Sequence, residues 1–399
     1  MVTAALAFAA LALVLWMASV GYLLALAVRA RARRPPAPLG AAALPSITVV
    51  MAARDEAERI EATLANLLAG DYPADRLRVV VAAGDSRDDT AARVAALAAA
   101  DPRVSLLRVE TARIKADQMR VALATVRDAI VVAMDADARL APDCLRQLVG
   151  ALCADPDAAV VGAWVEPDTA LREERLHWAL LNRLWWLEGE AIGAAGVSGV
   201  CYAMRRNAVA PPLARGEDIG IALAAGAHGH RVRLCRAALA RETRVPQSLG
   251  ELLRFRLRRG RDYLDALDTA PRGQRGWRLA RAVRRFHFRV TPLAALALAG
   301  LAVPLADSPA WPLVLGTAAA FALPLAAVVA AVRARADSVV QLAVALVRLL
   351  LVTWLAMLVV PRRAAPLTAA RAPAPGRAPA PDTATEATLG WQPPERSEG

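Results

Sequence analysis

Lysine is nearly missing from this 399-residue chain: Lys115 stands alone, and the other 48 of the 49 basic residues are arginine. Cysteine is scarce too, with Cys144, Cys153, Cys201 and Cys235 in no metal-ligand spacing. That excludes a zinc module and a disulfide scaffold, and leaves four reduced packing residues. Aromatic residues are only 5% of the chain, and no Gly-x-Gly-x-x-Gly run is present, which argues against a dinucleotide site. Basic residues are absent ahead of the first apolar stretch, where a cleavable signal peptide carries its charge. No internal repeat is visible.

Apolar residues, by contrast, are plentiful at 57%, with a mean hydropathy of +0.35. Yet 22% of the chain is charged, so the two classes must be segregated. Residues 4–28 carry no charge and exceed the ~20 residues that cross a bilayer. Arg29, Arg31, Arg33 and Arg34 follow at once, which by the positive-inside bias puts the N-terminus outside and the next segment in the cytoplasm. Three further apolar stretches lie at 290–306, 311–332 and 338–360. The first two read as a helical pair of spans. The third contains Arg348, costly in hydrocarbon, and is left open as a span, a re-entrant segment or an interfacial helix. The Ala/Pro-rich tail at 364–399 reads as disordered.

The formal charge of +12 is concentrated at 254–289, directly before an apolar segment. Basic helices over 246–289 holding an anionic lipid interface explain this better than nucleic acid does, so no nucleic-acid partner is expected.

Between these segments, residues 45–245 alternate apolar runs with amphipathic helical patterns. Strands are expected at 47–53, 77–83, 104–109 and 129–135, with helices at 56–69, 88–100 and 115–127. This is the signature of βαβ units and an α/β fold with a parallel sheet covered on both faces. Ligands of such sheets sit at the carboxyl ends of the strands. Polar clusters fall there: Arg54-Asp55-Glu56, Gly84-Asp85-Ser86 and Asp135-Ala-Asp137. Two aspartates one residue apart can turn toward one hard cation, Mg²⁺ or Mn²⁺, that also bridges substrate phosphates. Taken alone, the same pair also suits a solvated strand-to-loop junction.

The ordered set goes further. ITVVMAARDEAERIEATLANLLAGDYPADRLRVVVAAGDSRDDT, then Lys115, Asp135-x-Asp137, VSGVCYAMRR and GEDIG, resembles the family 2 glycosyltransferases over roughly 45–262. These are inverting enzymes with a Rossmann-like GT-A fold that use nucleotide-activated sugars. The flanking apolar segments suit the family's membrane-integrated branch. The resemblance implies that Asp55 and Glu56 hold the nucleotide and that Asp85 or Asp88 contacts its base or ribose. Both remain candidates, because the usual Asp-Gly order is reversed as Gly84-Asp85. It implies Lys115 near the donor diphosphate, Asp135 and Asp137 on the cation, and Ser198 and Gly199 lining the sugar and acceptor pocket. Asp218 matches the catalytic base, with Glu217 beside it at the substrate.

The family's processive members carry Gln-x-x-Arg-Trp next. Here Phe255-Arg256-Leu257-Arg258-Arg259 keeps Arg258 for the diphosphate and loses the Gln and the Trp, which argues against long-chain polymerisation. The helical stretch 171–193, with His177, Trp178, Trp185 and Trp186, reads first as core packing and second as an acceptor platform. The implied function is transfer from a nucleotide sugar, a UDP-linked hexose or N-acetylhexosamine, to a lipid, lipid-linked or polysaccharide acceptor at the cell membrane. A polyprenyl-phosphate sugar synthase and a catalytically degenerate scaffold are the alternatives.

Overall fold

Two largely apolar runs of seven residues make the first parallel pair, β1 (Ile47–Ala53) and β2 (Leu77–Ala83, with Arg78 exposed). Every residue of β1 is buried, as a strand covered on both faces requires. The computed structural model describes residues 2–31, 44–109, 114–208, 217–269, 273–332 and 338–359. Adding β3 (Val104–Arg108), β4 (Ile130–Asp135), β5 (Ala138–Leu140), β6 (Ala158–Pro167), β7 (Cys201–Arg205) and β8 (Arg231–Glu242) gives one sheet of order β3-β2-β1-β4-β7-β6-β8-β5.

The first four of these in spatial order are parallel, as the βαβ pattern predicts. The sheet as a whole is mixed, which corrects the expectation of a parallel one. β7 runs antiparallel to both β4 and β6, and β5 antiparallel to β8. The reason is local: β7 follows a long helix and a coil, so no right-handed crossover dictates its direction.

Helices α3 (Ala57–Leu68), α4 (Thr90–Ala100), α5 (Lys115–Thr125) and α6 (Cys144–Cys153) connect the strands. The side chains of α3 show how the pattern selects its face: Ile60, Leu64 and Leu67 recur at helical spacing and are at most 1% exposed. Full burial of each contributes about 1.5–3 kcal/mol. α7 (Arg172–Ile192) and α8 (Glu217–Ala227) flank β7.

Val2–Arg31 is one helical run, α1 (Val2–Trp16) and α2 (Tyr22–Arg31) joined by a π turn at Met17–Gly21. Among the residues whose side chains are described, it is the single helix long and apolar enough to cross a membrane. α2 buries Tyr22, Leu26 and Ala30 against α7, and the Tyr22 hydroxyl donates to Glu188 at 2.9 Å.

Beyond the sheet come α9 (Leu249–Thr269), α10 (Arg275–Arg289), α11 (Thr291–Ala302), α12 (Trp311–Val332) and α13 (Val339–Val359). The apolar stretch 290–306 makes only a 12-residue helix, about 18 Å long at 1.5 Å per residue. It reaches spanning length only together with α10, across a bend of 54°. α13 lies on α7, burying Leu342, Ala345, Leu346 and Leu349 against Leu176. Arg348, expected to be costly, has its guanidinium 3.7 Å from Glu173. The tail expected to be disordered lies outside the described residues.

Candidate active site

The chain leaves the middle of the sheet at Asp135 and reappears at its edge as β5, so the Asp-x-Asp pair occupies the point of departure. α3 holds that turn: the Thr63 hydroxyl donates to the Ala136 carbonyl at 2.7 Å, and Asn66 exchanges hydrogen bonds with the Leu140 backbone. Register does the rest. Ala138 pairs with Glu242, bringing the end of β8 beside Asp137. Gln118 donates to the carbonyls of Ala53 and Ala82, tying the first turn of α5 to the ends of β1 and β2.

Each aspartate faces a cation. Lys115 Nζ donates to Asp135 at 2.5 Å, and the Arg244 guanidinium lies 3.2 Å from Asp137 and 2.5 Å from Glu56. Burial, then the Asp135 charge, raises the Asp137 pKa, with Arg244 opposing. Burial likewise raises Glu56 against Arg244. Nearby, Glu242 is 6% exposed, and burial first, then the neighbouring carboxylates Asp135, Glu174 and Asp137, push it to about 8 against the pull of Arg259. All of these groups but Glu174, with Arg54, Arg254 and Arg258, line a polar cavity of about 700 Å³. Arg258 is exposed there, its guanidinium 5.6 Å from the Phe255 ring.

The loop candidates divide. Asp55 sits at φ 56°, a left-handed conformation that an aspartate tolerates, and accepts from the Arg87 amide at 2.8 Å. Asp85 is exposed at the end of β2. Asp88 accepts from the Ala57 amide at 3.1 Å and from the Thr90 amide and hydroxyl, so both its oxygens staple loop to helix. Its slight burial opposes ionisation, but those hydrogen bonds outweigh it and lower the pKa. Gly216 lies outside the described residues, and Glu217 is the first residue of α8.

Asp218 is fixed by two backbone amides: Ile219 donates to Oδ1 at 2.8 Å and Gly199 to Oδ2 at 3.1 Å. A Cβ on Gly199 would lie 2.9 Å from Lys115 Nζ and 3.5 Å from Asp135, so a side chain there would shift the lysine tip against its aspartate. Ser198, 5% exposed, precedes it. Asp218, Gly199, Lys115 and Asp135 therefore form one contiguous group.

On the far side of that group a second cavity, about 540 Å³, runs toward the apolar helices. Trp178, Trp185, Tyr263 and Phe288 line it, with Thr353 and Ala356 of α13. The tryptophans thus both pack and face a cavity. Arg244, Glu242, Gln118 and Arg259 are absent from the sequence candidates. No spacing announces them: Arg244 meets Glu56 across 188 positions. Arg259 stands where the expected Trp is missing, 3.9 Å from both Asp218 and Glu242.

A fold with clustered carboxylates at its strand ends can hold a cation and a charged ligand there. The sequence profile described as "Glycosyl transferase family 2" matches residues 48–209, and that of "Glycosyl transferase family group 2" matches 130–360. No curated protein sequence matches. Among solved structures, the mannosyltransferase PcManGT from Pyrobaculum calidifontis, in complex with GDP-Man and Mn²⁺, shares 26% identity and a TM-score of 0.60. The match covers 86% of this chain and 99% of that one. Glucosyl-3-phosphoglycerate synthase from Mycobacterium tuberculosis, with Mn²⁺, UDP and glucosyl-3-phosphoglycerate, shares 22% identity over 57% of this chain and 81% of its own, at a TM-score of 0.42. The chain belongs to glycosyl transferase family group 2 and is a glycosyltransferase with a GT-A fold.

Proposed function

We propose that this protein is a membrane-bound inverting glycosyltransferase that moves one sugar from a nucleotide-sugar donor to a lipid or lipid-linked acceptor on the cytoplasmic face of the cell membrane. One observation carries the reading. Asp218, Gly199, Lys115 and Asp135 are contiguous where a polar, arginine-lined cavity meets an apolar one bounded by α9, α10 and α13. The polar side suits a nucleoside diphosphate and the apolar side a lipid.

Asp135 and Asp137 fit a divalent cation. Both supply hard oxygen ligands, and Lys115 and Arg244 already neutralise them with positive charge. Two protein carboxylates suffice for an ion that completes its shell with diphosphate and water, and no group of three or more ligands occurs among the described residues. Mn²⁺ accompanies the donor in PcManGT, and GDP-linked mannose joins the UDP-linked sugars as a donor candidate. The cation, when bound, supplies Lewis-acid stabilisation of charge on the leaving diphosphate.

The chain's own groups do the remaining work. Lys115, Arg258 and Arg259 line the polar cavity and neutralise the diphosphate. Asp55, Glu56 and Asp85 hold the nucleotide at the strand ends, whereas Asp88 holds the loop. Asp218, oriented by the Gly199 and Ile219 amides, takes the proton of the acceptor hydroxyl as that oxygen attacks the anomeric carbon in line. Ser198 and Gly199 let the sugar approach, and Glu217 stands beside the base. Val2–Arg31 anchors the chain, with α10–α13 at or in the bilayer.

Replacing Asp218 with Asn keeps shape and removes the base. Transfer falls ~10²–10⁴-fold while Mn²⁺-dependent nucleotide binding, read by calorimetry, is retained. Loss of binding together with transfer overturns the assigned role.

A further inference from the structure

A charged cluster sits at the base of the apolar cavity that the donor site does not need. On α7, Glu174 is fully buried and lines the cavity with His177 and Trp178. From α9, Arg256 donates to Glu174 Oε2 at 2.6 Å and reaches His177 Nε2 at 2.9 Å. Burial, then the Arg256 charge, drives the His177 pKa well down, so that ring is neutral and accepts. Three polar atoms of the cluster have no hydrogen-bond partner: Glu174 Oε1, Trp178 Nε1 and Arg256 Nε. The Trp178 N–H lowers the Glu174 pKa as a hydrogen-bond donor does, but from a geometry too poor to satisfy either atom fully. A buried carboxylate oxygen and a buried indole N–H in so poor a contact keep part of their desolvation cost, which a guest in hydrogen-bond geometry with both would relieve.

We infer that Glu174 and Trp178 form the head-group subsite of the acceptor, and that this head group is a neutral hydroxyl-bearing one, a sugar or polyol on a lipid, not a lipid phosphate. This rests on the acceptor reading of the cavity given above. A hydroxyl satisfies both atoms at once, donating to Glu174 Oε1 and accepting from Trp178 Nε1. A phosphate ester offers acceptors only and would set negative oxygens against the carboxylate. Charge balance points the same way. The cavity is lined by Lys115, Arg256 and Arg259 against Asp135, Glu174, Asp218 and Asp262, four acids to three bases. All three bases are engaged: Lys115 with Asp135, Arg256 with Glu174, and Arg259 at 3.9 Å from Asp218. An anionic acceptor finds no surplus of positive charge here, whereas in the donor cavity six bases face five acids. The base Asp218 is also needed only for a hydroxyl, since an ionised phosphate is already a nucleophile.

The test uses the full-length protein in detergent with Mn²⁺ and GDP-mannose or UDP-glucose, whichever it turns over. Dodecyl glucoside is offered as a neutral acceptor and a polyprenyl phosphate as an anionic one. Wild type is expected to glycosylate the glucoside, with E174Q raising its KM about tenfold or more at nearly constant kcat. W178F, which keeps the packing and removes the N–H, should shift KM the same way. Nucleotide binding by calorimetry reports whether either variant is folded. Transfer to the polyprenyl phosphate alone overturns this inference and leaves the enzyme reading intact. Transfer to the glucoside with KM unmoved in folded E174Q and W178F also overturns it. Nucleotide binding with transfer to neither acceptor defeats the acceptor reading itself.

Discussion

Asp137 titrates above its ordinary range because it is buried, because Asp135 repels its charge, and despite Arg244. A cation competes with the proton and with the guanidinium for this carboxylate, so Mn²⁺ affinity is expected to rise with pH. Calorimetric titration at two pH values checks this; a pH-independent affinity contradicts it. Glu242 gives a stability prediction. Its pKa in the folded protein is about 8 against 4.5 in the free side chain. A raised pKa means the folded state holds the proton more tightly. The resulting stability is complete below about pH 4.5 and is lost as pH climbs through about 8. In chelator, Glu242→Gln should therefore flatten the fall in unfolding midpoint between about pH 5 and pH 8. An unchanged slope would mean that another group carries it. At this scale the acidic residues were legible because carboxylates collect at strand ends. Their partners were not: nothing in the order of residues joins Arg244 to Glu56, or Arg348 to Glu173. Those pairings exist only once β8 and α13 have docked.

The elements read more clearly than their directions. The runs at 47–53 and 77–83 are strands to the residue: all seven positions of the first are apolar or β-branched and buried, and in the second only Arg78 is exposed. Strand direction in the second half was hidden, since an antiparallel β7 and a parallel one share the same composition. Helix α8, which carries Asp218, is held from behind by α10. A Cβ on Gly226 would collide with the Trp277 ring. Gly226→Ala should therefore push α10 away, lowering stability by about 1–3 kcal/mol. The transfer rate should fall with it, since α8 carries Asp218, the proposed base. Denaturation and turnover on the same preparation decide this; an unchanged midpoint contradicts the packing.

Across the whole molecule, the apolar helices gather on one side of the sheet and the polar cavity opens among its strand ends. Phe8 and Ala12 of α1 bury against Leu305, and Trp16 donates to the Ala320 carbonyl of α12 at 3.1 Å, so the N-terminal helix and the late helices form one body. Their outward residues stay bare: Leu6, Leu13, Leu296, Leu315 and Val347 are all at least 55% exposed. Exposed apolar residues of this kind mark a membrane or protein interface, and in the proposed function they face lipid. The full-length chain should stay in the membrane pellet through alkaline carbonate washing, and release into the supernatant would contradict the membrane reading. The most direct measurement of the central claim is release of nucleoside diphosphate from a panel of nucleotide sugars by the solubilised protein, with Mn²⁺ and with chelator, beside Asp135→Ala. Release that needs the metal and disappears in the variant is the predicted result. Nucleotide binding without release for every sugar and acceptor, or release that survives both chelator and Asp135→Ala, would contradict the assignment of Asp135 and Asp137 as the cation clamp of a working transferase.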